Sequence, residues 1–127
     1  MKDFQAISKA SKAHNEKNDC AVKAVTVVSN MPYNYVHRTF YEHGRRSRHG
    51  TPKSITNNVL ATLQMWREDV TKQFPARTVR SLEGMLPEEG RFLIHTAGHI
   101  LGAKNGEIID WTQGRLHRII KIERVTF

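Results

Sequence analysis

"GHILGAKNGEIIDW", residues 98–111, places two β-forming runs on either side of Asn105 and Gly106. An Asn-Gly pair between apolar runs is the strongest short-range hairpin signal, because both residues accept the positive φ of a type I′ turn. With a two-residue turn, Lys104 faces Glu107, Ala103 faces Ile108, Gly102 faces Ile109 and Leu101 faces Asp110. His99 stands two residues before Leu101 and so shares a face with Asp110. The two backbones are then about 7 Å apart on the diagonal, a gap that a His–Asp hydrogen bond closes. A slip of one residue would send the side chains to opposite faces, so the pair depends on the turn.

Working outward, "RFLIHT" before the hairpin and "RLHRIIKIERVTF" after it supply further strands. The first two thirds of the chain read as helices. A run from Cys20 with Ala21, Val22, Ala24, Val25, Val27 and Val28 has the all-round apolar surface of a buried helix, with Asn18 or Asp19 as its cap. "MPYNYVHRTFYEHG" reads as a second helix, with Asn30 as a possible cap and Gly44 closing it. Thr51 and Pro52 open a third, whose stripe is Ile55, Val59, Leu60, Leu63 and Trp66. "TVRSLEGML" gives a fourth, capped by Thr78. Residues 1–17 are polar and lysine-rich, and read as a flexible basic arm or a short helix. The expected fold is α+β in one domain over residues 1–127, N-terminal helices packed on a C-terminal antiparallel sheet.

The chain has 127 residues, 39% of them hydrophobic and 25% charged. That is the size of one ordinary domain. No apolar stretch approaches the roughly 20 residues of a membrane span, and the start lacks the apolar middle of a secretory signal, so a cytoplasmic protein without membrane contact is expected. The single cysteine excludes an internal disulfide. A net charge of +8 creates a field that draws acidic proteins or nucleic acid. Charge is dense in "HGRRSRHG", residues 43–50, where Arg45, Arg46 and Arg48 form a candidate partner-binding loop; a solvated loop is the plainer reading.

Cys20 is either an inert buried thiol or a nucleophile at a helix start. The second reading has a physical basis, because the helix dipole and free backbone N–H groups stabilise a thiolate. A base and an orienting group are also needed, and His99 with Asp110 offers both. His95 competes as an alternative base if residues 96–98 form a three-residue turn, which would set it opposite His99 on the same face. Cys20, His95, His99 and His117 could also be combined as a zinc site, but the short Cys/His ligand spacings are absent, and no metal or cofactor is expected.

"NDCAVKAV" followed by "GHILGAKNGEIIDW" resembles the papain-like cysteine peptidase superfamily, with Cys at a helix start, then His and Asp or Asn on later antiparallel strands. It is similar to compact bacterial and phage-encoded members related to bacteriocin-processing peptidases and cell-wall amidopeptidases. The resemblance implies Cys20 as nucleophile, His99 as general base and acid, and Asp110 as the residue orienting His99. It implies a peptide or protein substrate, and a host-cytoplasm location if the chain is phage-encoded. Family members place a glutamine or similar donor several residues before the cysteine to complete the oxyanion hole. Here His14, Asn15 and Asn18 are the polar substitutes, Asn18 being the nearest. The alternative is a catalytically inactive papain-like fold that binds nucleic acid or an acidic host protein through its basic surface.

Overall fold

The structure is a computed structural model and describes residues 2–127, the side chain of Lys2 excepted. The hairpin has the register its turn dictates. Asn105 and Gly106 both take left-handed φ values, 54° and 77°, so β3 (His99–Lys104) returns as β4 (Glu107–Ile109) with Lys104 opposite Glu107 and Gly102 opposite Ile109. β2 (Arg91–Thr96) and β5 (Ile119–Thr126) extend the sheet on the other side of β3. β1 (Trp66–Asp69) pairs with β5, giving the order β1-β5-β2-β3-β4, antiparallel throughout. The class is α+β, as expected.

The N-terminal part is helical: α1 (Lys2–Ala13), α2 (Cys20–Ser29), α3 (Tyr33–Glu42) and α4 (Lys53–Thr62). A short 3₁₀ turn (Thr71–Gln73) and α5 (Val79–Glu83) follow β1. Residues sharing a rung share a face, which separates two cores. Leu93 and Gly102 face α2, where Val22, Val25, Val36 and Phe40 pack with Leu93. Phe92, Ile94, Leu101, Ala103 and Ile108 form the opposite face beneath α5, packing with Val79 and Leu82. Among the described residues no helix is long and apolar enough to cross a membrane.

Two expectations are corrected. The stripe running to Trp66 stops short, because Gln64 turns left-handed (φ 58°) and the amides of Gln64 and Met65 close onto Ala61 and Leu60. Met65 is buried in its place, while Trp66 starts β1 with 71% of its surface exposed. Asn30 ends α2 in the left-handed conformation, and Pro32 occupies the cap position of α3. Of the two readings of residues 1–17, the short helix is the one observed: α1 ends at Ala13 and is held by Ile7 and Ala10 against the first core, while Met1 lies outside the described residues.

The largest correction concerns the basic loop. α1 and α3 both end in the same hydrogen-bond pattern: Asn15 and Gly44 turn left-handed, and the next amide, of Glu16 or Arg45, bonds back to Ser11 or Phe40. That pattern turns its last residue inward. Here both are charged, and they meet: the Arg45 guanidinium donates to both Glu16 carboxylate oxygens, at 2.6 and 3.2 Å, with side chains 2% and 0% exposed. His37 Nε2 and the Arg48 amide also bond Glu16, at 2.6 and 2.7 Å. Arg48 donates to the carbonyl and side-chain oxygens of Asn15. Arg45 and Arg48 therefore hold the helices together, and only Arg46 of the three is exposed without such a bond.

Burial alone would raise the Glu16 carboxyl, but the hydrogen bond from Arg45 and those from Arg48 and His37 hold it at about 2. This contribution to stability is complete above the ordinary value of 4.5 and is lost as pH falls towards 2. Glu16→Gln strands the buried guanidinium and should cost about 3–5 kcal/mol by urea unfolding at neutral pH. The loss should shrink as both proteins are acidified.

Gly102 is the point at which α2 touches the sheet. A Cβ there would lie 2.7 Å from Val27 Cβ and 2.9 Å from the Ala24 carbonyl oxygen. Gly102→Ala should therefore destabilise by about 1–3 kcal/mol in the same unfolding assay.

Candidate active site

That contact also determines where α2 begins. The helix runs beside β3, with Ala24 and Val27 against Gly102. Stepping back from Ala24 and Val27 to Cys20 covers roughly 6–10 Å of helix, and stepping back from Gly102 to His99 covers roughly 10 Å of strand. Both paths end together. Cys20 is the first residue of α2 and half-buried, and the His99 side chain and the backbone N–H groups of Ile100 and Ala21 lie near enough to act on its thiol. The β4 ladder stops at Gly102, so no strand on that edge competes for the Ile100 amide. Burial raises the thiol pKa, yet hydrogen bonding from His99, then from Ile100, brings it below the ordinary thiol value.

His99 and Asp110 meet as the hairpin register predicts, with Nε2 to Oδ2 at 2.9 Å. Asp110 follows β4 directly and is buried. The same Oδ2 accepts from the Thr112 amide at 3.1 Å and from its hydroxyl at 2.6 Å, so a turn locks the carboxylate where the strand ends. Burial lowers the His99 pKa, but the hydrogen bond to Asp110, followed by that to Cys20, raises it to about 9. With Nε2 occupied by Asp110, Nδ1 is the ring nitrogen left for the sulfur.

Trp111 packs its ring 5.3 Å from that of His99, with the Arg115 guanidinium 5.6 Å from its centre and His117 edge-on at 5.2 Å. It screens the His99–Asp110 pair from one side. Neither Thr112 nor this role of Trp111 was foreseen. Asp-x-Thr is a turn pattern that the sequence carries openly, whereas the screening depends on ring packing between segments.

The other candidates lie elsewhere. Thr96 pairs with His99 across a two-residue turn of Ala97 and Gly98, so His95 pairs with Ile100 and falls on the opposite face from His99. This corrects the three-residue turn that would have aligned the two histidines. His95 Nε2 bonds Glu123 at 2.6 Å. Asn18 neither caps α2 nor faces the thiol: its amide donates to the Arg48 carbonyl at 3.3 Å. Asp19 occupies the cap position, but its carboxylate accepts from the hydroxyls of Ser11 and Tyr33. His14 bonds Asn34, and Asn15 accepts from Arg48. Among the described residues no three His, Cys, Asp or Glu side chains converge as a metal site.

Compared with known proteins, the chain matches no family model, no curated protein and no solved structure. Its chemistry is read from its own geometry.

Thr112→Val keeps the shape and removes the hydroxyl from Asp110. The His99 pKa should fall from about 9 towards 6.5, as followed by NMR titration of the ring, while Thr112→Ser should retain most of the shift.

Proposed function

We propose that the chain is a papain-like cysteine peptidase or amidase of the compact bacterial or phage type, acting in the cytoplasm through Cys20, His99 and Asp110. One observation carries the reading: the thiol that opens α2 lies by the His99 ring, and the Asp110 carboxylate holds the far nitrogen of that ring at 2.9 Å. Between the lowered value of the thiol and about 9, the favoured form is thiolate and imidazolium. The order of a helix-start cysteine, a strand-start histidine and an aspartate after the next strand supports the family likeness.

In this mechanism the Cys20 thiolate attacks the substrate carbonyl carbon, and the C–N bond breaks as imidazolium Nδ1–H gives its proton to the leaving amine. Water then attacks the thioester and passes a proton to His99; the C–S bond breaks and the thiolate is restored. Asp110 keeps the imidazole oriented and stabilises its charged form. The Cys20 amide is one oxyanion donor at the helix start. Asn18 spends one amide N–H on the Arg48 carbonyl and keeps the other as a candidate second donor.

A second reading is a basic binding protein for nucleic acid or an acidic host protein, supported by the +8 charge. Alkylation of Cys20 by iodoacetamide across pH separates the two without a known substrate. The peptidase reading expects a rate that rises well below the ordinary thiol range. His99→Ala should move the rise upward, Asp110→Ala should do so partly, and His95→Ala should change little. The His99→Ala/Asp110→Ala double variant should differ little from His99→Ala. An unchanged profile in His99→Ala together with a shift in His95→Ala would move the base to His95; an ordinary thiol profile in the wild type favours the binder.

Stability gives a second readout. A raised histidine contributes fully below its unfolded value of 6.5 and loses that contribution as pH rises through about 9, whereas a lowered thiol gains over the same range. Cys20→Ser lacks the opposing gain, so its Tm should fall more steeply than that of the wild type as pH rises towards about 9.

A further inference from the structure

We propose that Arg77, Arg80, Arg115 and Arg118 form a recognition surface for an acidic peptide segment, entering beside Cys20 and His99. Calling that segment part of the substrate rests on the peptidase reading; its binding does not.

Two stretches far apart in sequence create the surface. Residues 77–80 and 115–119 run antiparallel, with Thr78 bridged to Arg118. The Val79 amide donates to the His117 carbonyl, Arg80 to Arg115, and Ile119 to Arg77, at 2.8–3.0 Å. All four arginines are exposed. Among the described residues none of them forms an ion pair, whereas Arg45, Arg67 and Arg124 are matched to Glu16, Glu123 and Glu68. The nearby carboxylate, Glu83, has one oxygen taken by the Gly114 amide. Like charges on adjoining backbone repel one another, and an acidic ligand relieves the repulsion. Guanidinium groups fork onto carboxylates in two parallel hydrogen bonds.

The surface joins the reaction centre through Trp111, which has Arg115 near its ring and itself packs against His99. Arg115 is thus the arginine nearest the imidazole, and an acidic residue held by it lies beside the reaction centre. A peptide suits it better than a nucleic acid. Base stacking needs an open aromatic face, and although Trp111 is 48% exposed, His99, Arg115 and His117 already crowd its ring. Exposed Leu116 offers an apolar contact within the same stretch.

The test uses the full chain with Cys20→Ala and fluorescence anisotropy of a short labelled Glu-rich peptide, its Gln-rich counterpart and a single-stranded RNA oligonucleotide. The Glu-rich peptide should bind and the Gln-rich one should not. The quadruple variant Arg77→Gln/Arg80→Gln/Arg115→Gln/Arg118→Gln should weaken binding by about tenfold or more. A control with the same charge loss, Lys9→Gln/Lys12→Gln/Arg46→Gln/Lys53→Gln, should change it far less. If the quadruple variant does not fold, the four single variants must each weaken binding. In the wild type, the Glu-rich peptide should slow iodoacetamide alkylation of Cys20. Equal weakening in both quadruple variants, unslowed alkylation, or tighter RNA binding through the same arginines would overturn the proposal. Arginine-dependent peptide binding that shields an otherwise ordinary thiol would sustain it while sinking the peptidase reading.

Discussion

The seating of α2 on β3 at Gly102 is the constraint on which the site depends. A glycine at that rung removes the side chain that would hold the helix off, so Val27 and the Ala24 carbonyl sit directly on the strand. Because helix and strand run alongside one another from this contact, their starts coincide, and the thiol meets the imidazole. A lateral or vertical shift of the helix by one residue would move the sulfur about 1.5 Å along the axis, enough to lose hydrogen-bond geometry.

The polar interior around the helices serves the same positioning. Asp19, next to the cysteine, is fixed by Ser11 of α1 and Tyr33 of α3, and Lys23 of the next turn lies 3.5 Å away. One turn of chain earlier, Glu16 is clamped by Arg45, His37 and the Arg48 amide. The segment that leads into α2 is thus tied on both sides of the nucleophile's entry point. A buried ion pair is a costly way to join helices compared with apolar packing, but it is selective: Glu16 satisfies its oxygens only when both helix ends arrive together.

These ties divide the positive charge into two populations. Arg45 and Arg48 are consumed by structure, so the densest basic run in the sequence is not the freest basic surface in the fold. The arginines flanking the return into β5 have no ion-pair partners among the described residues and gather only because residues 77–80 pair with 115–119. Proximity to Trp111 then places Arg115 beside His99.

By itself the sequence determined what depends on local conformation. Asn105-Gly106 set the hairpin and with it the His99–Asp110 pair, because a type I′ turn leaves no freedom of register over three rungs. The apolar run after Asp19 set a buried helix with Cys20 at its start, and Thr78 capped α5 through Ser81. Tertiary structure decided everything that depends on where separate segments meet. The thiol's partner, the face taken by His95, the exposure of Trp66 on a strand paired with residues sixty positions away, and the burial of Arg45 all belong here. Charge density along a chain does not reveal whether a guanidinium will face water or a carboxylate, because that depends on two helix ends turning towards each other.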